Sequence, residues 1–103
     1  MATSRKLDAV DHVALPVSDI GEALDWYSCN FQCEVQYQDD TWALVQFSNI
    51  KLALVIPSQH PPHLGLVTSK AADFGSLKPH RDGTRSVYVT DPAGKSLELL
   101  AAE

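Results

Sequence analysis

The sequence predicts an α+β protein of two βαβββ-type modules, the second one shortened, that meet in one curved mixed sheet with helices on its outer face. Three observations predict it. The chain contains an internal repeat, a capped amphipathic helix follows the first strand, and short apolar runs bounded by turn residues fill the remainder.

The repeat comes first. Asp11-His12-Val13-Ala14-Leu15-Pro16-Val17-Ser18 reappears in form as Pro62-His63-Leu64-Gly65-Leu66-Val67-Thr68-Ser69, each copy a short strand carrying one histidine. Lys51-Leu52-Ala53-Leu54 matches Lys95-Ser96-Leu97-Glu98-Leu99 on its Leu-x-Leu triplet. Each half therefore opens and closes with matching strands. His12 to Ala53 spans 41 positions and His63 to Glu98 spans 35, so the second half has lost about six residues in its middle.

Within the first half, Asp19 can cap a helix and Glu22 stands where a capping box has its second member. Ile20, Ala23, Leu24, Tyr27 and Phe31 then follow helical spacing, which predicts a helix from about Ile20 to Asn30. Glu34 to Gln38, Trp42 to Phe47 and Lys51 to Ile56 read as strands, with Asp39-Asp40 and Ser48-Asn49 as turns. Pro57 to Pro62 holds three prolines and reads as the linker between modules of about 8–56 and 63–101, within one domain spanning 1–103. In the second half a brief helix is expected around Ala71 to Leu77, then a polar stretch from Lys78 to Thr84. Arg85 to Thr90 and Ser96 to Leu100 make a closing hairpin around Asp91-Pro92-Ala93-Gly94, where proline fixes the turn and glycine allows positive φ.

Composition narrows the function. The 103 residues carry a formal charge of -5, with 45% hydrophobic and 20% charged residues, as in ordinary soluble domains. The few Arg and Lys are scattered, so no basic stripe exists to neutralise phosphates and nucleic acid is not an expected partner. No stretch approaches the ~20 apolar residues of a membrane span. Met1 to Lys6 is basic but lacks the apolar run of a secretory signal, and the expected location is cytoplasmic. Cys29 and Cys33, the two cysteines, are expected as free thiols.

Side chains alternate along a strand, so the apolar pattern says which face each polar residue occupies. Val13, Leu15 and Val17 form the helix-facing side of the first strand, which sends His12 and Ala14 to the other face. Leu64 and Leu66 do the same for His63, Gly65 and Val67, and Leu97 and Leu99 for Ser96, Glu98 and Leu100. Tyr88 lies with Ser86 and Thr90, opposite Val87 and Val89. If the halves share one curved sheet, His12, His63, Glu98, Tyr88 and Ala53 line its concave side. Two imidazoles and one carboxylate are the set that holds a divalent iron, manganese or similar ion while leaving positions open. Any one of these histidines alone reads as an ordinary strand residue. A buried Glu98 without a partner would be costly, which favours a cation beside it.

These segments resemble the vicinal-oxygen-chelate superfamily of glyoxalases, bleomycin-resistance proteins and ring-cleaving dioxygenases. The resemblance rests on Asp11 to Asp19, on Ala23-Leu24-Asp25-Trp26-Tyr27, and most specifically on Val87-Tyr88-Val89-Thr90-Asp91-Pro92-Ala93-Gly94-Lys95-Ser96-Leu97-Glu98-Leu99. It implies a cup of paired modules around a divalent metal ion (Fe, Mn, Ni or Zn), with His12, His63 and Glu98 on three ligand positions. The fourth position falls on Ala53, which offers no donor. Glyoxalase I-type members use an oxygen ligand there, so the His-His-Glu set is closer to that of the ring-cleaving dioxygenases, which are usually longer chains. Family members commonly pair, and a homodimer is expected because the shortened second module leaves apolar sheet uncovered.

Two function classes follow. One is a metal-dependent lyase, isomerase or dioxygenase that chelates a small-molecule substrate through adjacent oxygens, with Tyr88 donating to a substrate oxygen and His80 or Arg81 as loop candidates. His80 and Arg85 read more simply as surface residues. The other is a metal-free binding or resistance protein using the same cup, in which Trp42, Ala53, Val55 and Tyr88 matter more than the histidines. A degenerate member with a structural or partner-binding role is a third.

Overall fold

In the computed structural model, which describes residues 7–80 and 83–102, the elements are β1 (Ala9–Pro16), α1 (Ile20–Asn30), β2 (Glu34–Gln38), β3 (Trp42–Gln46), β4 (Lys51–Val55), β5 (His63–Thr68), a 3-10 turn (Ala71–Phe74), β6 (Lys78–Pro79), β7 (Arg85–Thr90) and β8 (Ser96–Ala101). Met1 to Lys6 and Arg81 lie outside the described residues, and with them the reading of the N-terminal segment and one loop candidate.

All eight strands join one mixed sheet in the order β2-β3-β4-β1-β5-β8-β7-β6. Each module pairs its opening strand parallel to its closing strand, β1 with β4 and β5 with β8. The modules then meet through the two opening strands, antiparallel at the centre. The register bears the repeat out residue by residue, because Ala14 faces Ala53 in one module as Gly65 faces Glu98 in the other.

α1 begins at Asp19, whose Oδ1 accepts a hydrogen bond from the Glu22 N–H at 2.8 Å and satisfies one of the exposed donors of the first turn. The helix ends where Phe31 turns extended while its N–H still reaches the Tyr27 carbonyl. Ile20 and Leu24 are buried against Ala43, Val45 and Leu54, with Val17, Tyr27, Phe47, Leu52 and Ile56 around them. α1 packs on β2, β3 and β4. Leu15 on β1 therefore escapes the helix that was expected to cover it and remains 38% exposed, although its sheet neighbour Leu54 is fully buried.

The second module keeps the element order in miniature. The helix expected over Ala71 to Leu77 is a four-residue 3-10 turn, stopped at Gly75, where φ is 153°. The polar stretch behind it holds the two-residue β6, which pairs with β7 through Lys78 and Pro79. Pro79 lacks an N–H and cannot extend the ladder. The residues missing from the second half thus come out of its helix and its outermost strand. One α-helix, not two, covers the outer face among the described residues.

Two hairpins follow the sequence closely. At the β7–β8 turn Asp91 Oδ1 accepts from the N–H groups of Ala93 and Lys95, both at 2.8 Å, and Gly94 supplies a φ of 80°. At the β2–β3 turn Asp39 accepts from the Tyr37 hydroxyl first, and then from Thr41 and Trp42, which together hold its carboxyl well below the usual carboxylate range.

Leu54→Ala should lower the unfolding free energy by about 2–5 kcal/mol, because it opens a cavity under α1. Asp19→Ala should cost about 1 kcal/mol through the lost cap. Urea denaturation measures both, and near-equal costs would show that α1 is not seated on this core.

Candidate metal centre

The sheet register decides which side chains converge on the face opposite α1. One row runs across five strands as Lys51, His12, Gly65, Glu98 and Tyr88. The adjacent row runs Leu44, Ala53, Ala14 and His63. His12 and His63 come from opposite directions of the central antiparallel pair, and Glu98 faces them from β8.

The three predicted ligands meet. His12 Nε2 and His63 Nε2 are 2.9 Å apart, and each is 3.3 Å from Glu98 Oε1. Gly65 makes this approach feasible. A Cβ there would stand 2.2 Å from His12 Cε1, inside the ring's own volume. The bare glycine backbone is the floor across which His12 reaches Glu98.

The outer nitrogens fix the tautomers. His63 Nδ1 lies 3.0 Å from the Pro61 carbonyl, which can only accept, so Nδ1 carries the proton and Nε2 the lone pair. His12 Nδ1 lies 2.8 Å from Asp11 Oδ2, with the same consequence. Lys51 Nζ holds the other Asp11 oxygen at 3.7 Å. With both rings neutral, two nitrogen lone pairs and a carboxylate oxygen point at one small space with no proton among them. That arrangement calls for a cation, either a proton or a metal ion.

The spacing fits a metal. Two donors about 2.1 Å from one ion and at right angles across it lie about 3.0 Å apart, and at the tetrahedral angle about 3.4 Å. The two 3.3 Å separations fall in that range, and the 2.9 Å between the imidazole nitrogens lies at its short edge. Orienting partners on the far nitrogen of each histidine are also the usual outer shell of a metal-binding imidazole.

Without metal, the charges answer one another. Burial opposes a charge on His12, but hydrogen bonds and charge from Glu98 and Asp11 outweigh it and raise its pKa above the usual 6.5. Burial likewise pushes Glu98 up, yet its polar contacts with His12, His63 and Ser86 prevail and hold it well below the carboxylate range. Burial first, and then the charge of Glu98, push the Tyr88 hydroxyl up to about 12, so it stays protonated.

The remaining candidates separate. Tyr88 is half-exposed at the edge of the site, its ring edge-on to His63 at 5.5 Å. His80 reaches the centre from its loop, with Nε2 2.6 Å from Ser86 Oγ and 3.5 Å from Glu98 Oε2. It is solvent-exposed, as its loop position suggested, while its ring makes these contacts. Arg85 is exposed on β7. Ala53 is buried in a small apolar cluster with Ala14 and Val55, flanked by Trp42 and Leu44. Cys29 and Cys33 are both free, and the Cys33 thiol sits 3.8 Å from the Tyr27 carbonyl, away from the centre.

Sequence reasoning passed over Asp11, Ser86 and the role of Gly65. Strict alternation sends Asp11 to the face opposite His12. The register of β1 against β5 shifts between Val10 and His12, and this irregularity at Asp11 lets its carboxylate reach the ring. No sequence signal marks the shift. Ser86 was placed on the correct face, and its proximity to Glu98 follows from the hairpin register.

Two outcomes are expected. Gly65→Ala should displace the His12 ring and destabilise the fold by about 1–3 kcal/mol, read by denaturation together with loss of the His12 ring contacts in NMR spectra. In metal-free protein the raised His12 pKa contributes stability that is complete below 6.5 and lost as pH rises through the folded value. The melting temperature should therefore fall as pH rises above 6.5, and His12→Asn should flatten that slope.

No protein-family model and no curated protein sequence matches the chain. Solved structures do. A hypothetical protein from Bacillus halodurans superposes with a TM-score of 0.71 at 13% identity, covering 95% of this chain and 96% of that one. A glyoxalase/bleomycin resistance protein/dioxygenase superfamily member from Vibrio splendidus gives 0.67 at 14% identity, over 93% and 100%. Methylmalonyl-CoA epimerase from Streptomyces coelicolor, in complex with 2-nitronate-propionyl-CoA, gives 0.70 at 16% identity, over 94% and 96%. The βαβββ order, the pairing of modules through their opening strands and these superpositions agree that the chain has the vicinal-oxygen-chelate fold.

Proposed function

We propose that this protein is a divalent-metal-dependent enzyme of the vicinal-oxygen-chelate superfamily, acting on a small molecule with two adjacent oxygens. One observation carries the reading. Two imidazole lone pairs and a carboxylate oxygen converge within 3.3 Å, with their protons committed elsewhere.

His12, His63 and Glu98 would hold the ion, and Asp11 and the Pro61 carbonyl orient the two rings. Bound there, a divalent metal supplies Lewis-acid stabilisation of a developing enolate, diolate or catecholate. Tyr88 keeps its proton at neutral pH and stands at the rim, so its hydroxyl donates to a substrate oxygen. Trp42, Leu44, Ala53 and Val55 form an apolar wall beside His63 and exclude water from that side. Ala53 gives that wall no group to carry a substrate proton, which favours a dioxygenase-like ligand pattern over a glyoxalase-like one. That an epimerase of this fold holds an acyl-CoA compound supports a small-molecule occupant. No helix among the described residues is long and apolar enough to cross a membrane, and we place the protein in the cytoplasm.

The homodimer belongs to the same reading. Val10 and Leu15 are exposed on the outer face of β1, beyond the cover of α1, and a second copy would bury them. Light scattering at micromolar concentration should give about twice the 11.3 kDa of one chain. A single monomeric species removes the dimer and leaves the metal reading standing.

Protein purified without chelator should contain about one divalent ion per chain, measured by plasma mass spectrometry. His12→Ala and His63→Ala should each abolish it. Both rings must be neutral to bind, and with His12 titrating above 6.5 the affinity should begin to fall on the alkaline side of that value as pH drops. Wild-type protein that takes up no manganese, nickel or zinc in excess overturns the enzyme reading in favour of a metal-free binding protein.

A further inference from the structure

The carboxylate of Glu98 uses its two oxygens differently. Oε1 faces both imidazole nitrogens at 3.3 Å. Oε2 turns the other way, toward β7, and accepts the Ser86 hydroxyl at 2.9 Å. Ser86 is only 2% exposed. Its single proton is spent on Glu98, so its oxygen can only accept toward His80, whose Nε2 lies 2.6 Å away and must carry the proton of that bond. The three groups form a directed chain in which His80 donates to Ser86 and Ser86 donates to Glu98.

We propose that Ser86 is a positioning residue, oriented by His80, that makes Glu98 present a single oxygen to the metal. The inference rests on the metal reading above and deepens it. A carboxylate with both oxygens free can take an ion with either one or with both. Engaging Oε2 removes the second option and keeps a coordination position for the substrate. The fold supplies the constraint, since Tyr88 faces Glu98 in the β7–β8 ladder and Ser86 lies two residues earlier on the same face. Nothing comparable exists in the first module, where the position equivalent to Glu98 is Ala53.

The test uses full-length protein titrated with Co2+, followed by calorimetry and by the visible absorption of the bound ion. Ser86→Ala removes one oxygen and adds no volume, so the fold should persist, which thermal unfolding checks. Loss of the hydroxyl should weaken Co2+ binding about 10–100-fold. It should also lower the absorption intensity, because a second carboxylate oxygen raises the coordination number. His80→Gln should shift both readouts in the same direction by a smaller factor. A Ser86→Ala protein with wild-type affinity and spectrum overturns the proposal while leaving the metal site in place, and so does a lowered melting temperature with both readouts unchanged. An unaltered His80→Gln protein overturns the part assigned to His80. Wild-type protein that binds no Co2+ overturns the metal reading itself and this inference with it.

Discussion

The antiparallel pairing of β1 with β5 is the constraint from which the rest of the site follows. It sets His12 against Gly65 and Ala14 against His63 in successive rows. The two histidines are 51 residues apart in the chain, yet the ladder brings their Nε2 atoms to 2.9 Å. Because β1 pairs parallel with β4 and β5 with β8, the same junction also delivers Ala53 and Glu98 to matching places. A one-residue slip would send every one of these side chains to the outer face.

Around that junction the polar groups are satisfied in sequence. Lys51 neutralises Asp11, Asp11 orients His12, Pro61 orients His63, and Ser86 engages the far oxygen of Glu98. Among the described residues no buried side-chain nitrogen or oxygen lacks a partner. The charge balance nevertheless closes only if something positive joins the two lone pairs and the carboxylate. In the metal-free protein a proton on His12 fills that role, which is the physical meaning of its raised pKa. On the metal reading proposed above, metal and proton would compete for one place.

Much of this was legible in the residues. Alternation placed His12, His63, Glu98 and Tyr88 on one face, the Leu-x-Leu match set Ala53 and Glu98 in equivalent positions, and the Asp19 cap with the apolar spacing behind it marked α1. What escaped was local and three-dimensional. The shift in β1 register re-aims Asp11 and breaks the alternation rule on which the reading depended. Leu15 looked like core, since its period is right, but α1 lies over β2, β3 and β4 and does not reach it. The second helix failed because four residues before Gly75 cannot complete the turns an α-helix needs.

The shrinkage of the second module divides labour between the halves. The first holds the α-helix and the helix-packed core of Leu54, Val45 and Leu24. The second carries Glu98, Ser86, His80 and Tyr88 on strands backed by one 3-10 turn and a two-residue edge. Most of the helix-packed core thus lies on one side of the β1–β5 seam, and most of the polar groups of the site on the other. Elements that must admit and release a ligand are drawn from the less stable part of a fold. By that rule β6 and β7, with a short turn behind them, are the elements placed to yield, while His12 belongs to the module with the larger helix-packed core.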